Sequence, residues 1–581
     1  MRVRGGFTRI AATVMATAFA FFPPHLRADA DLVFRNGFER ATDLPPSRGE
    51  AGRFLAQATF GATDADIDAL VDGGYRAWLD AQFALPASYV LPYMRAAENA
   101  THPLDALPFY RFRQAWFVHA LAAPDQLRQR VAFALSEILV VSERGNGLGN
   151  DGLALGAYYD LLLRNAFGNY RQLLGEASLS PAMGRYLSMY RNRKPDAANN
   201  IQSDENYARE VMQLFTVGLV KLHRDGSPVL VDGQTVPTYD GDVVRGYARV
   251  FTGWACHCAT GQQCPVDPFV DDNFTCSTEH AMVPFENYHD RGEKRLLDGA
   301  VLPAGSDARP ELERALDVLF DHPNVAPFVG RQLIQRLVTS NPSPAYVDRV
   351  AAVFEDNGAG VRGDLGATVR AILLDPEARE GHRAAPATFG KVREPLLRLT
   401  QLWRAFDVTW RNDRLMLDDL DIHERYNQSP LYSPSVFNFF APNYTQGGAL
   451  AAAQLSAPEM QIITANFAIH LANDFAGRIY WSYVGGPMDD PSDPESPVRL
   501  IRLERWVRSI TPLPGAGEAP AGALDALLDR SSDLLLGGQL SPALRSRIRT
   551  RLLAIPAGDA LRRVQNVLYL ITTSPEYAVQ R

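Results

Sequence analysis

The sequence predicts a mainly α fold: a multi-helix array with one small β-hairpin and a cysteine-stapled loop. Three observations predict it. Apolar residues recur at three- and four-residue spacing through most of the chain. Asp232-Gly233 stands between two short apolar runs, the one strong hairpin signal. All four cysteines, Cys256, Cys258, Cys264 and Cys276, fall in a single stretch that also holds Gly261, Pro265 and Pro268. With 46% apolar and 21% charged residues the composition is that of a globular chain and excludes disorder. At 581 residues it exceeds one simple core, so two to four packed helical units are expected.

The elements follow in order. Arg2, Arg4 and Arg9 precede the apolar run Ile10 to Phe22, and Ala28-Asp29-Ala30 supplies small residues at a cleavage site. Residues 1–30 therefore read as a secretory signal peptide, and the mature protein is expected to be periplasmic or secreted. Residues 31–48 form an irregular leader. Regions 49–305 and 306–581 are both helical, the first carrying the acidic-helix motif, hairpin and cysteine loop. Arg53 to Phe60 is the first helix, and Thr63 caps the second with Asp64 and Asp66 in its first turn. Phe109 to Leu121, Gln126 to Val141, Tyr158 to Ala166 and Tyr170 to Ser178 keep core spacing, and Pro181 opens a further helix. Asp204 to Phe215 is strongly amphipathic. Val229 to Val236 is the hairpin, and Asp242 is the expected cap of the helix that runs to Phe251. Glu311 to Phe320, Val325 to Val338, Tyr346 to Phe354 and Leu365 to Leu374 follow. The aromatic, Pro-rich segment Tyr426 to Tyr444 is expected to plug into the helical core, and a helical tail starts at Pro497.

Charge narrows the partners. The chain carries a formal charge of −8, and residues 1–30 hold four Arg and one Asp, so the mature chain stands at −11. That balance gives no general reason to bind nucleic acid or anionic lipid. No segment beyond the signal is long and apolar enough for a membrane span. In an oxidising compartment the cysteines are expected to form two disulfides of undetermined pairing.

The ordered motifs are Arg53 to Gly61, Glu205-Asn206-Tyr207-Ala208-Arg209-Glu210, Asp242-Val243 to Trp254, His289-Asp290 with Lys294, Lys391 to Pro395, Ser433 to Asn438 and Ser574-Pro575-Glu576-Tyr577. Together they resemble the bacterial family known as domain of unknown function 1800, across about Gly52 to the end. The resemblance implies an exported, largely helical protein with no assigned activity and no catalytic residues to carry over. It also implies a partner of the domain of unknown function 1501 family, whose members resemble the sulfatase and alkaline-phosphatase group. Tyr239-Asp240-Gly241 departs from the family's Tyr-Thr-Glu and leaves the cap at Asp242 open.

Common catalytic signatures are missing from the sequence: no Gly-x-Ser-x-Gly, no Walker loop and no His-Glu-x-x-His occur. The best constellation sets Glu205, Glu210, His289 and Asp290 as catalytic candidates, with Asn206, Arg209, Asp242 and Lys294 as binding candidates. A carboxylate near Arg stays ionised and His289 beside Asp290 moves protons near neutrality, which suits a hydrolase or lyase. The competing reading pairs Glu205 with Arg209 along the helix and ties Glu210 to a loop through Lys294 or Arg245, with no chemistry. A metal set of Asp204, Glu205, Glu210, His289 and Asp290 is a third reading, so the cofactor and metal are left unknown. The function expected first is an exported accessory or binding protein acting on an envelope or extracellular polymer with a sulfatase-like partner.

Overall fold

Side-chain caps mark where many of the helices begin. In the computed structural model, which describes residues 43–96, 108–145, 147–258, 267–270, 276–409, 422–490, 492, 499–515 and 517–581, Ser47 caps Arg48–Ala58 and Thr63 caps Asp64–Gly73. The second start is a full capping box, Thr63 accepting from the Asp66 amide while the Asp66 carboxylate accepts from the Thr63 amide. Tyr170–Ser178 and Leu365–Leu374 coincide with the periodicity, and Pro181 is the first residue of its helix. Gln126–Ser136 ends short of the expected Val141, because residues 137–141 run as buried turn and irregular chain. Asp240, not Asp242, caps Gly241–Val250: its carboxylate accepts from the amides of Asp242 and Val243. The signal segment and most of the leader lie outside the described residues.

The hairpin forms as expected. Leu230–Val231 pairs antiparallel with Gln234–Thr235, and Asp232 and Gly233 both take positive φ, the geometry a two-residue turn needs. Four further two-stranded antiparallel pairs occur among the described residues, so the single expected hairpin understates the β content. Trp254–Ala255 pairs with Val283–Pro284, His257–Cys258 with Cys276–Ser277, Lys294–Arg295 with Val301–Leu302, and Lys391–Val392 with Val579–Gln580. Two-residue strands leave no alternating pattern for a sequence to display. The cysteine staple is not established by the described residues, because Cys264 and the Cys276 side chain lie outside them.

One apolar cluster runs from Ala51 to Tyr577 and joins both halves of the chain. Arg53 anchors the first helix to the second half by donating to the Ala378 carbonyl at 2.7 Å. No helix of the described residues is long and apolar enough to cross a membrane.

Candidate functional site

The acidic motif does not continue as one α-helix. Asn206–Glu210 is α-helical and Val211–Thr216, directly after it, is π-helical. Tyr207, Ala208, Val211, Met212 and Phe215 are buried, with the Tyr207 hydroxyl 2.5 Å from Ser178 Oγ. A π segment widens the turn and re-aims side chains at its junction, and such segments recur at functional sites. Glu210 is the junction residue. It is half-buried, and its Oε2 is buried with no hydrogen-bond partner among the described residues. Burial pushes its pKa up against the pull of Arg209. The rest of the polar flank is ordinary: Asn206 and Arg209 are exposed, and Arg209 pairs with Glu205 one turn back.

His289, Asp290 and Lys294 form a second, closed group. Asp290 accepts both forks of Arg249, at 2.7 and 2.8 Å. The fully buried Lys294 ammonium lies 2.5 Å from Glu311 Oε2, and His289 Nε2 lies 3.2 Å from the same oxygen. His289 Nδ1 is 3.0 Å from the Thr252 carbonyl, so both ring nitrogens face acceptors. Burial pushes the Lys294 pKa down while Glu311 opposes it. Glu311 belongs to Ala308–Asp321 and was not legible as a partner, because nothing near it in sequence marks it. Among the described residues no hydrogen bond or ion pair joins Glu205, Asn206, Arg209 or Glu210 to His289, Asp290 or Lys294. Asp242 is exposed and pairs with Arg245 and Arg295. No group of three or more His, Cys, Asp or Glu among the described residues is arranged to hold a metal ion.

A different set of residues assembles where residues 142–145 meet the Leu431 to Ser433 turn. Tyr186, at the end of Pro181–Tyr186, packs its ring directly against Gly145, and its pKa is raised first by burial, with Ser433 opposing and Glu210 adding to the shift. Tyr239, half-buried, is raised to about 12, first by burial and then by Glu210. Ser433 is fixed in turn by Ser142, whose Oγ donates to its carbonyl at 2.7 Å, while the Glu143 amide donates to Leu431. Leu431, at φ 49°, takes the left-handed conformation that turns the chain between those anchors. The next ring, Tyr432, meets the guanidinium groups of Arg113 at 5.0 Å and Arg144 at 5.2 Å, and the His423 ring at 4.2 Å. Arg113 is buried and paired with Glu143. Arg144 is exposed and has no carboxylate partner among the described residues. Tyr426, Leu431 and Val436 of the Tyr426 to Tyr444 segment pack on the main core, as expected, whereas Phe439 and Phe440 form a separate small cluster with Ile462 and Phe437 is exposed.

Two other polar features were missed. Glu137, Lys391, Glu394 and Glu459 are all buried together. Lys391 Nζ lies 3.3 Å from Glu394 and 3.2 Å from Glu459, and Gln428 donates to Glu394 at 2.7 Å. Burial and the Glu394 charge raise the Glu137 pKa well above a carboxylate's, whereas Lys391 and Arg130 outweigh burial and keep Glu394 ionised. A groove of about 670 Å³ has Leu91, Leu161 and Leu179 in its lining. Its arginines are paired: Arg95 with Glu279, Arg164 with Glu176 and Arg171 with Glu313. Its buried acid, Asp160, accepts from the amides of Val90 and Leu91, and burial pushes it up to about 7. None of the sequence-derived candidates lines that groove; His289 and Asp290 line a smaller surface cavity of about 390 Å³ with Lys194 and Glu286.

A protein-family model described as "Protein of unknown function (DUF1800)" matches residues 53–579. No curated protein and no solved structure matches the chain.

Proposed function

From the premise that the chain belongs to the DUF1800 family, we propose that it is an exported binding protein that acts on an envelope or extracellular polymer beside a sulfatase-like partner. One observation carries this reading: the motif's polar residues divide into the buried Lys294–Glu311–His289 cluster and a separate Glu210 at the π-turn junction, whose buried Oε2, like Glu311 Oε1, makes no hydrogen bond among the described residues. A buried carboxyl oxygen left without a partner costs free energy that a hydroxyl reaching it after a local rearrangement would recover. Cleavage of a glycosidic link needs a second acid or an activated nucleophile facing the first, and His289 is committed to Glu311 and Thr252. The Arg2, Arg4 and Arg9 cluster and the apolar run after it support export, and the DUF1501-type partner rests on the resemblance alone. The cysteine staple is part of the proposal: neither Cys256 nor Cys258 is a free thiol, and Cys258 stands opposite Cys276 across an antiparallel pair.

The hydrolase or lyase reading keeps one supporting observation, the upward push of burial on the Glu210 carboxyl, which favours its protonated, donor form. A single experiment separates the two. The mature protein is incubated with purified envelope and extracellular polysaccharides, and both retention and release of new reducing ends or unsaturated sugars are measured. Retention without release, weakened by Glu210→Gln, is the expected result. Release abolished by Glu210→Gln would select the enzyme, and neither retention nor release would remove both readings. Mass spectrometry of the exported chain is expected to find Asp31 as its first residue and no free thiol.

A further inference from the structure

The reading above leaves the polymer's chemistry open, and a surface where three helices meet narrows it. Ala465–Tyr480 and Pro542–Leu553 both pack on Ala560–Thr572. Along that third helix Arg562, Asn566 and Tyr569 fall on one stripe at four- and three-residue spacing. Contacts join the stripe to its neighbours on both sides. The Arg562 guanidinium lies over the Tyr480 ring, 5.4 Å from its centre, and the same ring meets Tyr569 at 5.7 Å and Trp481 at 6.1 Å. On the other flank Arg551 Nε donates to Asn566 Oδ1 at 3.4 Å, and the buried Asn566 amide donates to the Arg562 carbonyl at 2.8 Å. Arg547 stands one turn before Arg551 on the same helix stripe.

The surface so joined is open to solvent and cationic. Arg547, Arg551 and Arg562 are exposed, and none has a carboxylate partner among the described residues, whereas Arg545 and Arg549 on the neighbouring stripe pair with Asp525 and Asp529. Asp559 and Asp489, close by in sequence, accept from the backbone amides of Arg562 and Gly485. Trp481 is 51% exposed, although tryptophan is highly buried on average. Its backbone is held from both sides, the amide donating to the Gly477 carbonyl and the carbonyl accepting from the Met488 amide. An indole is thus presented next to guanidinium groups whose outward N–H groups suit an oxyanion.

Resting on the binding reading, we propose that Arg547, Arg551, Arg562 and Trp481 form a recognition surface for an acidic polysaccharide, the guanidinium groups taking its carboxylate or sulfate groups and the indole with Tyr480 the apolar face of a sugar ring. Charge complementarity argues for this occupant: three cations without carboxylates stand together on a chain whose overall charge is −8. A neutral glycan would use the rings and leave the guanidinium groups idle. A nucleic acid would meet net negative charge everywhere outside the patch. A lipid surface calls for a helix face of apolar side chains, but the stripe here carries Arg562, Asn566 and Tyr569.

Isothermal titration of the full mature protein against polygalacturonate, dextran sulfate, neutral dextran and phosphatidylglycerol vesicles tests the surface. At least one acidic polymer is expected to bind about ten-fold more tightly than dextran, the scale of one charge-assisted contact. The double variant Arg551→Gln, Arg562→Gln is expected to erase that preference while dextran binding and the melting temperature stay as they were. Arg547→Gln, at a side chain with no hydrogen bond or ion pair among the described residues, is expected to lower the preference with no effect on the fold. Trp481→Ala is expected to weaken acidic polymer and dextran alike. Preference for polygalacturonate alone identifies a carboxylate ligand, and preference for dextran sulfate alone a sulfate ester. An acidic preference that survives both arginine variants would overturn the site. Equal binding of dextran and both acidic polymers, or retention by the envelope fractions alone, would overturn the ligand class and leave the binding reading standing. Vesicle binding that falls in the arginine variants, without any preference among the polymers, would assign the surface to lipid instead. No binding to any probe, nor to the envelope fractions, would take the binding reading down with it.

Discussion

Lys294 and Glu311 form an ion pair with no solvent exposure, Nζ to Oε2 2.5 Å, and the His289 ring closes on the same oxygen from the other side. The contact ties the Lys294–Arg295 strand to the Ala308–Asp321 helix. Buried charge is tolerated only in company, so removing the partner is worse than never having had the pair. Glu311→Ala is expected to destabilise the protein by about 3–5 kcal/mol in urea unfolding. His289→Asn is expected to leave polymer binding unchanged, since the ring serves Glu311 and Thr252; a loss of binding with normal stability would return His289 to the functional site.

Acid stability is expected to depend on Glu50. Burial pushes its carboxyl up, but the hydrogen bond from His382 at 3.0 Å and the Arg53 guanidinium at 2.8 Å outweigh burial and bring it down to about 2 from 4.5. A carboxyl lowered in the folded state contributes stability that is complete above its unfolded value and lost as pH falls through the folded one. The window is therefore pH 4.5 down to about 2. Denaturant midpoints of Glu50→Gln should lie below wild type at pH 7 and converge with it at the acid end; a constant gap would contradict the assignment.

Glu137 is expected to act in the opposite direction. Burial first, and the Glu394 charge second, keep it protonated in the folded protein. A carboxyl raised on folding favours the folded state least at high pH, because the unfolded chain releases the proton that the folded chain holds. Glu137→Gln keeps a neutral side chain of the same shape. It should gain on wild type by about 1.4 kcal/mol per pH unit above 4.5, up to the folded value. Unfolding curves at pH 5 and pH 8 measure this, and an equal effect at both would refute it.

Gly246 is where the Gly241–Val250 helix passes closest to a strand. A Cβ there would stand 1.9 Å from the Arg295 carbonyl oxygen, a backbone atom that cannot rotate away. Gly246→Ala should cost about 1–3 kcal/mol despite alanine's better helix propensity. A thermal melt at or above wild type would show that the helix and strand shift apart freely.

The Glu210 junction offers a conformational test. A glutamine at 210 cannot ionise, so Glu210→Gln should remove any pH dependence of polymer binding near and above the ordinary carboxylate range, while the far-ultraviolet spectrum stays that of wild type. Binding with the same pH profile as wild type would exclude Glu210 from the interface.

Features settled within about one helical turn were legible from residue order alone. The capping box at Thr63 and Asp66, the proline start at Pro181, the Asp232-Gly233 turn and the Glu205–Arg209 pair are all contacts between near neighbours, so residue identity and spacing suffice. The family likeness also needs only the order of motifs along the chain, and the match over 53–579 agrees with it. Which charges face water was decided by the tertiary structure alone. Asp290 and Glu210 look alike on paper; packing gives one a guanidinium fork and leaves the other with a buried oxygen that no hydrogen bond among the described residues reaches. Glu311, Glu137 and Glu394 carry no mark in sequence either, because the cost of burying a charge is set by partners brought from far along the chain. The same holds for the π turn after Glu210, whose width reflects how Val211, Met212 and Phe215 pack rather than any local preference of those residues.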